Sequence, residues 1–388
     1  MTAPRYTPVE MIARLVGFDT TSRNSNLPLI EFVEEYLASH GIESRRVPSP
    51  DRRKANLIAT IGPRAAGGVI LSGHTDVVPV DGQAWVTDPW VVTEKDGKLY
   101  GRGTCDMKSF SAIALALVPQ FLERGLAAPI HFALSYDEEV GCIGAHDLIE
   151  GLNRSGLGAR AVVVGEPTMM RVVNAHKGIR AMRTVVTGHE MHSSQVHKGV
   201  NAIAVAAELI RYLGELGVMA ADEGDPTGRF DPPFSSVHVG VIAGGTALNI
   251  IPRSCAFDWE IRSLPGTDAQ AIIERFTRYA AEKLLPRMKA ISPDCDIETI
   301  QSHMIPPYQA AANSPAETLA LKLTGRNAAE AVAYGTEAGL FEEGGFSTVV
   351  CGPGDIAQAH QPNEFVSLEQ VDLCVGFFHR LMDELAAR

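Results

Sequence analysis

The sequence is poor in paired cysteines and in long apolar runs. Its six cysteines are scattered over 388 residues with no C-x-x-C spacing, which argues against a zinc ribbon and is typical of reduced thiols in a cytosolic protein. No stretch approaches the roughly 20 apolar residues of a membrane span, and the first residues contain no apolar core of a signal peptide. We therefore predict a cytoplasmic protein that does not bind a membrane.

Basic residues are scarce relative to acidic ones. The chain has 34 Lys and Arg against 46 Asp and Glu, and its formal net charge is −12. This balance argues against nucleic acid and against an anionic membrane as partners. The length of the chain suggests two domains, or one domain with an insertion.

Short apolar runs alternate with helical periodicity in the first part of the chain. The runs at 69–73, 129–135 and 161–164 each indicate a buried strand. Polar residues follow these runs directly: His74 and Asp76, Glu138 and Glu139, and Glu166. The alternation predicts an α/β sheet with helices packed on it, and sites in such sheets gather at the carboxyl ends of the strands.

Each of these polar residues, taken singly, has an ordinary structural explanation. His74 could be a hydrogen-bonded histidine at a strand end, and the acids at 137–139 could form a solvated turn. Asp106, between a Gly-rich turn and a predicted helix at 109–123, could be a helix cap. Their recurrence at strand ends favours a metal site, because several buried carboxylates are costly unless cations neutralise them.

The pattern changes near residue 180. The predicted elements that follow are strand 183–187, helix 200–216, strands 236–242 and 255–262, helix 268–284 and strand 296–301. This βαββαβ order is that of a ferredoxin-like sandwich. We predict a first domain formed by 1–180 and 304–388, and an inserted α+β domain at 181–303 that could dimerise through an uncovered edge or helix.

Five stretches in this order resemble the M20 family of zinc-dependent peptidases and amidohydrolases. They are residues 72–79, 101–108, 137–141, 165–168 and 359–360. The resemblance covers essentially the whole chain. It implies a zinc-peptidase-like α/β/α catalytic domain with an inserted ferredoxin-like α+β dimerisation domain, and an enzyme that hydrolyses the amide bond of an N-acyl amino acid.

The resemblance also implies two zinc ions per subunit, with cobalt as an alternative ion. One ion would be held by His74, Asp106 and Glu166. The other would be held by Asp106, Glu139 and His360, so that Asp106 bridges the two ions. Nitrogen and oxygen ligands without thiolate suit such ions.

Catalytic roles follow from the same resemblance. The carboxylate of Asp76 would orient His74, and Glu138 would be the general base. His192, in a His-Ser-Ser sequence, would donate to the oxyanion from the small domain of the partner subunit, which requires a homodimer. The peptide bond after Asp106 is expected to be cis.

Four further stretches are most similar to the branch of the family that hydrolyses N2-acetyl-L-ornithine to L-ornithine and acetate in arginine biosynthesis. They are residues 90–101, 199–203, 334–341 and 350–354. The resemblance places Asn249 and Arg262 near this small-molecule substrate, with Arg262 as a partner of the α-carboxylate. Lys177, Gly335 and Thr336 are further candidates for substrate binding.

Another branch of the family, which takes succinyl-diaminopimelate or other N-acyl amino acids, is the alternative. The Gly-Thr-Glu-Ala-Gly sequence at 335–339 favours the deacetylating branch, because desuccinylases usually carry a Gly-Gly-Thr-Ser-Asp type there. A non-catalytic homologue is the remaining alternative. It would lack ligands or the base, whereas all the expected residue types are present in this sequence.

Overall fold

In a computed structural model, which describes residues 3–386, the chain divides into two units. The first unit consists of the residues up to Asn174, Gln309–Glu330 and the residues from Thr336 onward. The second unit consists of Ala175–Tyr308 and Ala331–Gly335. The insertion predicted at 181–303 lies within the second unit.

Helices and strands follow one another along both units. The helices are α1 (Pro8–Val16), α2 (Leu27–Ser39), α3 (Lys108–Ala116), α4 (Val118–Glu123), α5 (Ile143–Ser155), α6 (Ala202–Glu223), α7 (Ala269–Tyr279), α8 (Leu285–Lys289), α9 (Pro315–Thr324), α10 (Ala338–Glu343) and α11 (Leu368–Leu385). The strands are β1 (Ser44–Pro48), β2 (Ala55–Ile61), β3 (Val69–His74), β4 (Thr93–Lys95), β5 (Lys98–Tyr100), β6 (Ile130–Ser135), β7 (Ala161–Pro167), β8 (Val173–His176), β9 (Gly178–Thr187), β10 (Met191–His192), β11 (Ser236–Gly244), β12 (Ile250–Ile251), β13 (Ser254–Ser263), β14 (Asp296–Ile305), β15 (Tyr308–Gln309), β16 (Glu330–Val332), β17 (Thr348–Gly352) and β18 (Phe365–Ser367). Within residues 3–386, no helix combines the length and the apolar content needed to cross a membrane.

The central strands of the first unit are parallel and buried. Its sheet runs in the order β1-β2-β6-β3-β7-β17. β3 is parallel to β6 and β7, and β17 is parallel to β7, whereas β2 pairs with β1 and β6 in the antiparallel sense. Every residue of β3, β6 and β7 is buried, as is typical of parallel strands that helices cover on both faces.

Alternate side chains of these strands face different helical layers. Leu57 and Ala59 of β2 belong to the large hydrophobic cluster that includes residues of α1, α2, α3 and α11. Ile58, between them, points to the opposite face. Its Cδ1 there lies 3.4 Å from the place that a Cβ on Gly151 of α5 would occupy. The first unit is therefore the α/β/α sandwich that the family resemblance implies.

The carboxyl ends of the parallel strands lie side by side. His74 of β3 is in register with Ser135 of β6, and Ser72 is in register with Val164 of β7. The residues that follow these positions consequently emerge at one edge of the sheet.

A four-stranded antiparallel sheet with helices on one face forms the second unit. Its strand order is β11-β13-β9-β14. Buried residues alternate along β13, and Phe257, Trp259 and Ile261 share a cluster with Leu209 of α6 and Phe276 of α7. The chain order β9-α6-β11-β13-α7-β14 is the predicted βαββαβ order, so the ferredoxin-like fold is confirmed.

Several elements of the second unit extend beyond their predicted ends. The strand predicted at 183–187 begins at Gly178, and the helix predicted at 200–216 continues to Glu223. The ends of helices and strands are the part of an element that sequence patterns locate least well.

Candidate metal centre

Side chains from five separate segments converge at the carboxyl edge of the first unit's sheet. The segments are the end of β3, the turn before α3, the turn after β6, the end of β7 and the loop before β18. The side chains that meet there are His74, Asp106, Glu138, Glu139, Glu166 and His360. Residues far apart in the sequence are brought together because the parallel strands end side by side.

Asp106 lies at the middle of this cluster. Its Oδ1 is 3.0 Å from His74 Nε2, and its Oδ2 is 3.3 Å from His360 Nε2. A glutamate flanks each imidazole: Glu166 Oε1 is 3.6 Å from His74 Nε2, and Glu139 Oε2 is 3.0 Å from His360 Nε2. The two predicted ligand sets thus share Asp106, with one carboxylate oxygen toward each set.

The spacing of the polar atoms suits metal coordination. The potential ligand atoms of His74, Asp106 and Glu139 lie within 4.8 Å of one another, and so do those of His74, Glu138 and Glu166. His74 belongs to both groups, and Glu138 lies close enough to the cluster to act on a molecule bound there.

Negative charge is in excess at this edge. Burial raises the pKa of Glu138 and of Glu166 well above the ordinary carboxyl value, and neighbouring carboxylates add to the effect. Burial together with the charge of Asp106 raises the pKa of Glu139 to about 7. The cluster therefore favours any ligand that brings positive charge.

The excess of negative charge also raises the pKa values of the two imidazoles. Burial alone would lower the pKa of His74, but the hydrogen bond with Asp106 and the charge of Glu166 raise it well above the usual value. Hydrogen bonds with Asp106 and Glu139 raise the pKa of His360 to about 10. A divalent cation would take the place of protons on the two rings.

The residues of the cluster fit a divalent metal. Among the described residues, Glu139 Oε1 is buried and has no hydrogen-bond partner. Buried carboxylate oxygens are seldom left without one. The donors are imidazole nitrogens and carboxylate oxygens, with no thiolate among them, and this donor set suits zinc and similar ions.

Asp76 supports the cluster in a different way from the predicted one. Its backbone carbonyl accepts the hydrogen bond from His74 Nδ1 at 2.9 Å, whereas its carboxylate Oδ1 is 3.7 Å from that nitrogen. The carboxylate instead accepts the backbone N–H groups of Glu138 at 3.1 Å and Glu139 at 3.3 Å, and the Ser22 hydroxyl at 2.7 Å. Asp76 therefore holds both the imidazole and the turn that carries the two glutamates.

The 335–337 segment, which the sequence analysis includes among the candidates for substrate binding, carries a buried acid. Gly335 belongs to the second unit, and Thr336 accepts the Ala338 N–H within the first. Glu337 is 1% exposed, and the Ser72 hydroxyl donates to it at 3.2 Å. Burial raises the pKa of Glu337.

A second buried acid, Glu364, was given no role in the sequence analysis. It lies four residues after His360 and pairs with buried Arg102 at 2.6 Å. An acid in a Pro-containing loop is exposed by default, and its partner here is 262 residues away in the sequence. Only the three-dimensional structure reveals the pair.

Two of the predicted substrate and catalytic residues lie together in the second unit. His192 pairs with Ile250 where β10 meets β12. The next residue, Ser193, donates its N–H to the carbonyl of Asn249 at 3.0 Å. The pairing of β10 with β12 therefore places His192 and Asn249 close together in the second unit.

Arg262 and Lys177, also in the second unit, form hydrogen bonds with groups of that unit. Arg262 Nε donates to Glu260 at 2.9 Å. Lys177 is buried, and its Nζ donates to the carbonyls of Pro232 at 2.8 Å and Phe234 at 2.6 Å. Those contacts give Lys177 a structural role in holding the loop before β11.

An α/β/α unit with imidazoles and carboxylates clustered at its strand ends is typical of metal-dependent hydrolases. The chain matches the peptidase family M20/M25/M40 over residues 70–384 and belongs to that family of peptidases and amidohydrolases, as the sequence predicted. It is 37% identical to the acetylornithine deacetylase of Myxococcus xanthus over 381 residues, which cover 95% of each chain. It is 34% identical to the acetylornithine deacetylase of Pasteurella multocida over 374 residues, 94% of each chain.

The fold agrees with that of solved members of the family. A tripeptidase from Staphylococcus aureus superposes with a TM-score of 0.76 over 100% of each chain at 19% identity. The cis peptide bond that the family resemblance implies is present between Asp106 and Met107. The prediction that the protein is an enzyme of this family is confirmed.

Adding Zn²⁺ to the metal-stripped protein should raise the temperature at which it unfolds. Zinc that binds only the native state stabilises it by about 4 kcal/mol at a thousand times the dissociation constant. Thermal unfolding followed by circular dichroism, with and without zinc, measures the shift.

His360→Ala should reduce this zinc-dependent shift because it removes one imidazole of the cluster. His40→Ala is the matched control, since that ring lies at the end of α2 and bonds to the Pro4 carbonyl. A shift in His360→Ala as large as that of the native protein would contradict the assignment of the site.

Proposed function

We propose that the protein is a zinc-dependent amidohydrolase that converts N2-acetyl-L-ornithine to L-ornithine and acetate. The observation that carries the reaction class is the sharing of Asp106 between two imidazole–glutamate sets, with His74 and His360 on its opposite oxygens. The substrate is inferred from the acetylornithine deacetylases that resemble this chain over nearly its whole length.

His74, Asp106 and Glu166 would hold one zinc ion, and Asp106, Glu139 and His360 would hold the other. Zinc at such a site supplies Lewis acidity, which polarises a carbonyl and lowers the pKa of water. The unpartnered oxygen of Glu139 and the orientation of the Asp106 carboxylate support this assignment.

Glu138 is proposed as the general base. Its carboxylate would take the proton of the attacking water and deliver it to the nitrogen of the leaving amine. The side chain is 9% exposed, and its raised pKa suits a group that must hold a proton between the two steps. The Cys142 thiol donates to its Oε1 at 3.4 Å, and its backbone N–H is tied to Asp76, so that the carboxylate is held in place from two sides.

His192 is proposed to stabilise the oxyanion from the second unit of the partner subunit. The backbone N–H of Ser194 donates to its Nδ1 at 3.2 Å, so that Nδ1 is an acceptor. In the neutral ring the proton then lies on Nε2, which is free to donate to a developing negative charge.

Arg262 and Asn249 are proposed to bind the amino-acid part of the substrate. The Arg262 Nε is held by Glu260, and its two terminal nitrogens can bind an α-carboxylate in a bidentate manner. Asn249 is exposed beside the His192 strand pair. Gly335 and Thr336 are proposed to line the same substrate region.

A homodimer through the second unit is part of the proposal. β11 is an edge strand of the four-stranded sheet, and Val241 and Ile242 on it are 58% and 52% exposed. An exposed apolar edge strand favours pairing with a second copy of the chain.

A cytoplasmic location is proposed as well. All six cysteines are free and buried, which suits a reducing compartment.

A substrate panel tests the proposed function. The zinc-loaded protein should hydrolyse N2-acetyl-L-ornithine with a kcat/KM at least about 10-fold above that for succinyl-diaminopimelate, because the pocket is proposed to fit the smaller acyl group. Release of the free amine, measured with a ninhydrin-type assay, provides the rates. A preference for the succinylated substrate would instead assign the protein to the desuccinylases.

Glu138→Gln should lower kcat by about 10²–10⁴-fold, because the amide cannot accept the water proton. The zinc content, measured by atomic emission, should stay at the native level. Asp137→Asn is the matched control: the neighbouring acid is paired with Lys54, so activity should change little. Native turnover in Glu138→Gln would show that another group is the base.

Mixing two inactive variants tests whether His192 acts across the dimer. His192→Ala and Glu138→Gln, unfolded together and refolded at equal amounts, should recover about one quarter of the native activity, because half of the dimers are mixed and each has one complete site. If both residues served the same subunit, no mixed site would be complete. Activity no higher than that of the separate variants would then reject the arrangement.

A further inference from the structure

One oxygen of Glu364 accepts three backbone hydrogen bonds from the turn that carries Asp106. Its Oε1 lies 3.0 Å from the Gly103 nitrogen, 2.8 Å from the Cys105 nitrogen and 3.0 Å from the Asp106 nitrogen. The side chain is fully buried. The proposed bridging ligand is therefore attached through its own backbone N–H to an acid far away in the sequence.

The turn is shaped for this contact. Gly103 has a φ of +84°, and a Cβ there would lie 2.9 Å from Val77 Cγ1. Successive N–H groups in such a turn point to a common centre and favour an anion there. Charge-assisted hydrogen bonds of this kind are shorter and stronger than neutral ones. Without Glu364, three buried N–H groups would have to find other acceptors.

Arg102 fixes the second oxygen of Glu364. Its Nη1 donates to Glu364 Oε2 at 2.6 Å, and its Nη2 donates to Gln83 Oε1 at 2.6 Å. The guanidinium carbon lies 5.2 Å from the centre of the Trp85 ring, and the arginine is 1% exposed. The carboxylate is thus held by backbone donors on one side and by a buried cation on the other.

The same arrangement reaches the loop of His360. Gln83, which binds Arg102, donates its side-chain N–H to the carbonyl of His360 at 2.8 Å. Glu364 is followed by β18, where Phe365 pairs with Tyr100. Two segments that carry proposed metal ligands are therefore connected through one buried acid.

We propose that Glu364, with Arg102 as its counter-charge, is a positioning residue that sets Asp106 relative to His360. The inference rests on the proposed function, because it assumes that these two side chains bind metal. Asp106 is positioned mainly by the hydrogen bonds that Glu364 accepts, rather than by its charge. An apolar replacement of the Glu364–Arg102 ion pair can preserve stability, but it cannot accept three N–H groups.

Four variants separate these contributions. Glu364→Ala removes the acceptor and the charge. Glu364→Gln with Arg102→Met keeps an acceptor oxygen and removes both charges, whereas Glu364→Ala with Arg102→Met removes the acceptor as well. Glu10→Ala is the control, since Glu10 also accepts a backbone N–H, that of Thr7, but in the capping box of α1.

The readouts are the zinc dissociation constant, obtained by competition with a fluorescent chelator, and the visible absorption spectrum of the Co²⁺-loaded protein. Both variants with alanine at 364 should bind zinc about 10–100-fold more weakly and alter the cobalt bands. The Gln–Met variant should stay within about threefold of native affinity. Glu10→Ala should match the native protein in both readouts.

Two results would overturn the inference: native zinc affinity and cobalt spectrum in folded Glu364→Ala with Arg102→Met, or a loss in the Gln–Met variant as large as in the alanine variants. Either result, obtained with a native protein that binds zinc and turns over substrate, would leave the proposed function in place. A native protein that binds no divalent metal would overturn the proposed function and the inference together.

Discussion

The burial of negative charge at the carboxyl edge of the sheet is the constraint on which the rest of the site depends. Removing a carboxylate from water costs several kcal/mol unless hydrogen bonds or a cation compensate it. Asp106 is compensated by two imidazoles, which raises the pKa of His360 to about 10. Glu139 keeps one buried oxygen without a partner among the described residues, and Glu166 faces His74 at 3.6 Å with the Glu138 carboxylate also near it. The cluster therefore favours added positive charge, and the parallel strands hold these like charges together.

Backbone N–H groups hold two acids that support the cluster, Asp76 and Glu364, in place. The carboxylate of Asp76 accepts two of them from the turn after β6, and Glu364 accepts three from the turn before α3. These oxygens are directed at the backbone of turns that carry proposed ligands. Asp106 and Glu139 direct their oxygens toward imidazoles instead, and they remain available to a cation. The same side-chain chemistry thus serves two purposes, and the local backbone separates them.

The strand-end positions of the site were predictable, because an apolar run and the polar residue after it are adjacent in the sequence. His74 and Glu166 follow directly from such runs. The burial of Glu364 was not predictable, since its hydrogen-bond partners lie about 260 residues earlier and nothing local marks it as buried. The support of His74 was predicted from the right residue but the wrong atom: the Asp76 carbonyl, rather than its carboxylate, accepts the ring N–H. Atomic choices of this kind depend on backbone torsions that residue types do not specify.

The proposed site residues are divided between two units with separate cores. The acids and imidazoles of the cluster belong to the first unit, whereas His192, Asn249 and Arg262 belong to the second. The second unit has its own hydrophobic cluster, built around residues such as Phe257 and Phe276. The first unit has a separate hydrophobic cluster that shares no residue with it. Under the proposed function, the metal ligands belong to the core of the first unit and the substrate-binding residues Asn249 and Arg262 to the second, so the sequence of each unit answers to a different demand.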